Sequence, residues 1–282
     1  MHEALEKQVV DFCRKNHLLE PNDRVLVALS GGGDSVALLQ ILHELHNEFP
    51  ISLEAAHLNH GLRGSESDGD ETFCRNLCHT LGIHLTVEGC ANGEIKAAGG
   101  SFEEAARIRR LAFLERTARK RGLNRIATGH TRDDQAETVM MRILRGTGPT
   151  GLQGILPVRE SYVRPLLDIT RLQLREYLVS IGHEFRDDSS NRDVSIHRNR
   201  IRIELLPDLE KSFGPGVSDG LVRLATLSRI QEDFLDGQVD KAYRNCLIFG
   251  DRAKILLEKA AFMAYHDTIR PVSYTHLRAH ET

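Results

Sequence analysis

Apolar positions along the chain fall into two alternating patterns. Short apolar runs bounded by polar residues predict buried strands at Arg24 to Leu29, Ser52 to His60, His84 to Val87 and Asn124 to His130. Between and after these runs, apolar residues recur at three- and four-residue spacing, which predicts helices. These are Asp34 to Phe49, Asp68 to Ile83, Ser101 to Gly122 and Asp133 to Gly146. The helix from Ser101 carries a capping box with Glu104, and Gly122 lies past its end. Strands alternating with helices predict an α/β fold: a parallel sheet with helices on both faces.

Ligands of such sheets bind beyond the carboxyl ends of the strands. Three polar loops fall there: "SGGGDS" (30–35), "HLNHGLR" (57–63) and "GHTRDD" (129–134). Their convergence on one edge predicts a single active site. Glycines and prolines cluster from Gly146 to Pro157, and a helix is predicted from Thr170 to Gly182. A loop follows at 186–193, and Ile196 to Phe213 starts helical. "SFGPGVSDG" (212–220) marks a boundary, beyond which Leu221 to Tyr243 reads as one long helix. The expected organisation is a catalytic domain at 1–212, the start of a smaller helical domain at 217–270, and a tail at 271–282. That tail, "PVSYTHLRAHET", has no periodicity; it resembles translated sequencing-adapter read-through and is expected to be non-native.

Bulk composition changes this picture little. A chain of 282 residues, 40% hydrophobic and 27% charged, suits a soluble protein with one large and one smaller domain. No apolar run approaches the ~20 residues of a membrane span. The first sixteen residues are amphipathic and carry acids, so neither a signal nor a transit peptide is expected, and the expected compartment is the cytoplasm. Five cysteines, an odd count outside any short secreted framework, read as reduced thiols. Cys74 and Cys78 share a helix face and read as small buried hydrophobes. A net charge of −3 argues against a uniformly basic nucleic-acid binder but allows local basic patches. Such patches occur at 107–110, 116–122 and 197–202, and solvated helix faces account for most of them.

The glycine loop carries the strongest chemical signal. Backbone N–H groups at a helix N-terminus form an anion nest that needs no charged side chain. Gly31, Gly32 and Gly33 allow close approach to phosphate, and the Ser30 and Ser35 hydroxyls can donate to it. Asp34 cannot meet phosphate directly but can hold Mg²⁺, which bridges phosphate oxygens. The G-K-[ST] ending of a P-loop NTPase is absent, which favours release of whole pyrophosphate over cleavage of a γ-phosphate. The plain alternative, an ordinary strand-to-helix turn, is weakened by the strand, loop and helix occurring in order. His57, His60 and His130 sit at strand ends without metal-site spacing, and read as nucleotide or base contacts.

"SGGGDS" resembles the loop of the N-type ATP pyrophosphatases, which adenylate a carbonyl oxygen and then replace it with nitrogen or sulfur. From Arg24 to Leu209 the chain also carries "HLNHGLRGSESDGDE", "GHTRDDQAETVMMRILRGTGPTGLQGI", "RPLL" and "DDSSNRDVSIHRNRIRIELLP". These resemble the tRNA(Ile)-lysidine synthetase family. The resemblance implies a reaction of ATP, free L-lysine and the wobble cytidine of tRNA(Ile) with a CAU anticodon, giving lysidine, AMP and pyrophosphate. It implies that Ser30 to Ser35 bind the pyrophosphate, with His57 and His130 also at ATP. It implies that Asp34 and Asp134 are catalytic, serving Mg²⁺ and the activated base, with the adjacent Asp133 a weaker candidate. Arg107 and Arg110 are implied contacts to tRNA or adenylate, although the family's aromatic after the second arginine is Leu111 here. Arg198, Asn199 and Arg202 match a family motif with the same implied role, and a helix would place the two arginines on one face.

Two other readings stand beside this one. A tRNA thiolase of the same superfamily commonly shows CxxC, whereas this chain has CxxxC at Cys74 and Cys78. A non-catalytic nucleotide-binding regulator would not need both Asp34 and Asp134. Family members often run longer, so the chain is expected to stop inside its helical domain. The oligomeric state stays open, a homodimer included.

Overall fold

The computed structural model describes residues 2–45, 48–61, 65–90, 102–186, 193–250, 255–266 and 269. The expected cap at Ser101 and the tail at 271–282 lie outside the described residues. Six strands form one sheet in the order β3-β2-β1-β4-β6-β5. They are β1 (Arg24–Ala28), β2 (Ser52–Asn59), β3 (His84–Gly89), β4 (Arg125–Ala127), β5 (Val158–Arg159) and β6 (Tyr162–Val163). All neighbours are parallel except β5, which pairs antiparallel with β6 at the edge.

β1 shows why its run is apolar throughout. Val25 and Val27 face one core, with the helices α1 (His2–Lys15), α2 (Gly33–Glu44) and α7 (Arg171–Ser180). Leu26 faces a second core, where Phe113 and Leu114 of α4 (Phe102–Arg121) meet Ile126. A strand covered on both sides needs apolar residues at both phases of its two-residue period. Helices therefore cover both faces, as the alternation predicts.

A third core joins α5 (Arg132–Arg145) to the C-terminal helices, with α6 (Pro149–Leu152) between. Ala136 and Val139 of α5 pack against Ile201, Leu206 and the Leu221, Val222 and Ala225 positions. Leu206 opens α9 (Leu206–Phe213), which follows α8 (His197–Arg200) and a π-helical turn at Ile201–Leu205. The other three lie on α10 (Val217–Cys246). The long helix is thus present, but the segment after it is not purely helical. β7 (Leu247–Gly250) and β8 (Ile255–Leu257) form a two-stranded antiparallel pair before α11 (Lys259–Met263). No described helix is long and apolar enough to cross a membrane.

The strand order positions the site. From β1 the chain moves outward through β2 to β3, then returns to the other side of β1 as β4. The connections leaving β1 and β4 therefore diverge, and a crevice opens between them at the sheet's carboxyl edge. The glycine loop follows β1 and the Gly129–Thr131 turn follows β4. The two come so close that a Cβ on Gly129 would stand 3.0 Å from the Asp34 carbonyl oxygen. A side chain there would need the two loops to part by a few tenths of an ångström.

Candidate active site

The glycine loop is stapled by its own hydroxyls. Ser35 Oγ donates to the Gly32 carbonyl at 2.9 Å and accepts from the Ser30 N–H at 3.1 Å. Ser30 Oγ lies 3.0 Å from Ser35 Oγ and accepts from the Gly32 N–H at 3.4 Å. Gly31 makes the turn with φ +91°, a left-handed value that a side chain would strain. Its carbonyl accepts from the Arg186 N–H at 3.1 Å. Gly31 packs toward Cys74 and is not part of the cleft wall, whereas Ser30, Gly32, Gly33, Asp34 and Ser35 are. Gly32, as the N-cap of α2, has no side chain to bond the first helical N–H groups, which leaves no capping side chain between them and an anion.

Across the crevice, Thr131 and Asp134 form a reciprocal capping box on α5. Asp134 Oδ2 accepts from the Thr131 N–H at 2.8 Å and from Thr131 Oγ1 at 2.9 Å. Its other oxygen, Oδ1, accepts from Arg171 Nη2 and from Arg198 Nη2, the latter at 2.9 Å. Glu137, one turn on, accepts from Arg171 Nη1 at 2.8 Å, Arg198 Nε at 2.8 Å and Arg202 Nε at 2.7 Å. Arg171 Nε also stands 3.5 Å from Asp34 Oδ2. One guanidinium thus links both carboxylates singled out from the sequence. Asp133 is occupied elsewhere: its Oδ2 accepts from the Arg171 N–H at 2.9 Å and docks the start of α7.

These contacts drive the carboxylates apart. Burial raises the Asp34 carboxyl to about 6, with repulsion from Asp134 and Asp133 adding to it and Arg171 opposing. Burial also works against ionised Asp134, but Arg171 and Arg198 outweigh it and hold the group at about 2. Glu137 stays below its ordinary value for the same reason, with Arg202 leading the attraction against burial.

His57 is buried, with Nδ1 3.0 Å from the Leu29 carbonyl and 3.4 Å from Cys74 Sγ. Its Nε2 has no partner among the described residues, and the ring belongs to the cleft wall. Burial lowers its pKa, against the opposing pull of the Leu29 carbonyl and the Glu71 and Asp70 carboxylates. His130 Nδ1 lies 2.9 Å from Thr128 Oγ1, and desolvation takes it down to about 4. Arg107, Arg110 and His60 also line the cleft. Asn199 does not: it is buried and donates to the Asp193 carbonyl at 2.9 Å, which anchors the loop before α8. The π-helical turn begins between Arg198 and Arg202 and both still reach Glu137, a distortion of the kind that recurs at functional sites.

Sequence reasoning missed Glu137 and Arg171. The only signal for Glu137 was its spacing of three from Asp134, which puts both acids on one face of α5. Arg171 gave none, because its partners lie 34 to 137 positions away. The whole cleft encloses about 1820 Å³.

The profile of the PP-loop domain matches residues 1–209. A tRNA(Ile)-lysidine synthase from Symbiobacterium thermophilum is 43% identical over 243 residues, covering 85% of this chain and 50% of that protein. A tRNA(Ile)-lysidine synthase from Clostridium acetobutylicum is 39% identical over 238 residues, covering 84% of this chain and 52% of that protein. The chain spans about half the length of these curated relatives. Among solved structures, the U34-tRNA thiolase NcsA from Methanococcus maripaludis with its 4Fe-4S cluster shares the fold. Its TM-score is 0.61 at 22% identity, covering 79% of this chain and 78% of that one. The matched profile takes in the sheet, the glycine loop and the arginine–carboxylate network, and the chain belongs to the PP-loop domain family.

Proposed function

We propose that this chain carries the catalytic part of a tRNA(Ile)-lysidine synthetase. Residues 1–212 form the catalytic domain, and 217–270 begin a tRNA-binding domain. In the first step, O2 of the wobble cytidine in the CAU anticodon attacks the α-phosphorus of ATP. The α–β phosphoanhydride breaks and pyrophosphate leaves. In the second, an amine of free L-lysine attacks C2, the C2–O2 bond breaks, AMP leaves with the oxygen, and the nitrogen gives up its proton.

The observation that carries the reading is the Asp34–Arg171–Asp134 linkage beside the glycine loop. Ser30, Gly32, Gly33 and Ser35 would hold the pyrophosphate, with Gly31 shaping the turn behind them. His57 offers an unpartnered nitrogen to the nucleotide, and neutral His130 lies beside it without adding charge. Arg107 and Arg110 reach from α4 toward RNA or adenylate. Arg198 and Arg202 are held on the catalytic carboxylates, which favours the adenylate for them, with Asn199 fixing their loop.

Asp34 and Asp134 are the residues that would hold Mg²⁺. Mg²⁺ keeps several waters and takes one or two carboxylates plus substrate phosphates. Both aspartates line the cleft; Asp34 Oδ2 stands 3.5 Å from Arg171 Nε, and Asp134 Oδ1 would exchange a guanidinium for the ion. When bound, the ion supplies charge neutralisation at the departing pyrophosphate. The thiolase reading fares worse, because burial pushes the Cys74 thiol up to about 12 and Cys78 up to about 11. A sulfur carrier needs the opposite shift.

The test is incubation with α-labelled ATP, labelled lysine and tRNA bearing a CAU anticodon. AMP, pyrophosphate and lysine-labelled RNA should appear together. ADP with orthophosphate, or AMP without lysine incorporation, would overturn the reading.

A further inference from the structure

The cleft holds two kinds of arginine. Arg171, Arg198 and Arg202 are paired with Asp34, Asp134 and Glu137. Arg142, Arg159 and Arg164 line the flank formed by α5, β5 and β6, and no carboxylate pairs with any of them among the described residues. Arg142 Nη1 donates to the Gly151 carbonyl and Arg164 Nη1 to the Leu156 carbonyl, both at 2.6 Å. Those bonds fix the guanidiniums without neutralising them. Arg164 Nε is buried and has no partner among the described residues. Desolvation, then repulsion from Arg159, lowers the pKa of both Arg142 and Arg164.

Like charges held together with one donor unpaired cost stability. A bound anion on this flank would relieve both costs. Arginine forks match phosphate oxygens two at a time. The glycine loop already supplies a nest for a pyrophosphate, and it follows β1, whereas Arg159 and Arg164 lie at β5 and just past β6. The cleft, at about 1820 Å³, also exceeds the ~300–1,000 Å³ of small-molecule pockets. There is room for more than one nucleotide.

We propose that Arg142, Arg159 and Arg164 form a subsite for the phosphodiester backbone flanking the reacting base of an RNA substrate. The subsite is separate from the glycine loop. It rests on the reading of the substrate as RNA and adds which wall of the cleft carries the strand.

The full chain serves for the test. Arg142→Ala/Arg159→Ala leaves the part-buried Arg164 in place. Binding is followed by fluorescence anisotropy with an RNA stem-loop presenting CAU and with an oligouridine strand of equal length. Affinity for both should fall about tenfold. The log–log salt slope should drop by about 1.4, since each single-strand phosphate that is no longer neutralised takes away roughly 0.7. ATP affinity should stay within about twofold. An unchanged slope with both RNAs would overturn the subsite. A loss of ATP affinity with an unchanged RNA slope would assign the arginines to the triphosphate and overturn it too. So would a flattened slope toward polyglutamate but not RNA, which would point to an acidic protein partner. If the unsubstituted chain binds RNA but incorporates no lysine, the lysidine reading fails while the slope comparison still decides the subsite.

Discussion

Arg171 Nη1 donates to Glu137 Oε1 at 2.8 Å, locking the start of α7 onto α5. Glu137 is only 1% exposed, and Arg198 and Arg202 close on the same carboxylate. Glu137→Gln keeps the volume but removes the charge and turns an amide N–H₂ toward guanidinium donors. Breaking a buried charge pair on one side costs about 3–5 kcal/mol, and the lower end applies here because the arginines are partly solvated. Denaturant unfolding should show that loss. The sign with pH follows from the depressed Glu137 carboxyl. Its contribution is complete above the unfolded value of about 4.3 and fades as pH falls below it, so wild type and variant should converge in acid. A constant gap down to acid pH would mean that the Glu137 charge is not the source.

Asp34 tests the answer to the loop's missing lysine. Asp34→Asn keeps the backbone nest and Gly32 cap but removes the charge proposed to hold Mg²⁺. ATP should still bind, more weakly. Single-turnover adenylation should fall by about two to three orders of magnitude, the scale of a single preorganised electrostatic group. Asp134→Asn should behave similarly, and the double variant should lose less than the product because both act at one site. Near-normal rates for Asp34→Asn at ordinary Mg²⁺ would reduce that aspartate to a helix-terminus charge.

Gly129 bears on the distance between the two loops. A Cβ there would meet the Asp34 carbonyl oxygen at 3.0 Å, the Asp34 carbonyl carbon at 3.1 Å and the Ser35 nitrogen at 3.2 Å. These are backbone atoms and cannot rotate aside. Gly129→Ala should push the α2 terminus from the β4 turn, costing about 1–3 kcal/mol of stability as overpacking does. ATP affinity should weaken with it. A variant with unaltered Tm and ATP Kd would show slack between these loops.

The thiols separate by burial. Cys13, Cys74, Cys78 and Cys246 are buried and Cys90 is half-buried. Burial pushes Cys13 and Cys74 up to about 12 and Cys78 up to about 11, so little thiolate exists at neutral pH. Native labelling with a thiol-specific chromophore should show one fast group, and denaturant should release the rest. Fast reaction at Cys74 or Cys78 would reopen a sulfur-transfer role.

Much of this architecture was legible because it is written in local patterns. The β1 run is apolar at both phases, since the strand is covered on both faces. β5 and β6 were invisible because strands of two residues carry no period; the edge of the sheet decides their pairing. Asp34 could be picked out because a glycine loop has recognisable chemistry, and Asp134 because its segment resembles a family motif. Arg171 could not, because what defines it is three carboxylates brought together by the fold. Gly31 and Asn199 show the converse limit. Motif membership does not distinguish a residue facing the cleft from one shaping the loop behind it.

Arg202 decides between the two roles read for the "HRNRIR" segment. If it met an RNA phosphate, Arg202→Ala would flatten the salt dependence of RNA binding by about 0.7, the value for one single-strand phosphate. The observed partners argue otherwise. Arg202 Nε donates to Glu137 Oε1 at 2.7 Å, and its Nη2 lies 3.7 Å from Asp134 Oδ1. Its charge is already matched by carboxylates, so little of it is left for a distant phosphodiester. The expected outcome is an unchanged RNA slope with turnover reduced by about 10²-fold, since misplacing by even 1 Å a carboxylate proposed to be catalytic has that scale of effect. Arg202→Lys should recover little, because an ammonium cannot span two carboxylates as a planar fork does. Arg142→Ala/Arg159→Ala is the internal control, as it should move the slope and leave ATP affinity alone. Should Arg202→Ala flatten the slope as that pair does, the segment is an RNA contact and the arginine–carboxylate network is only its resting arrangement.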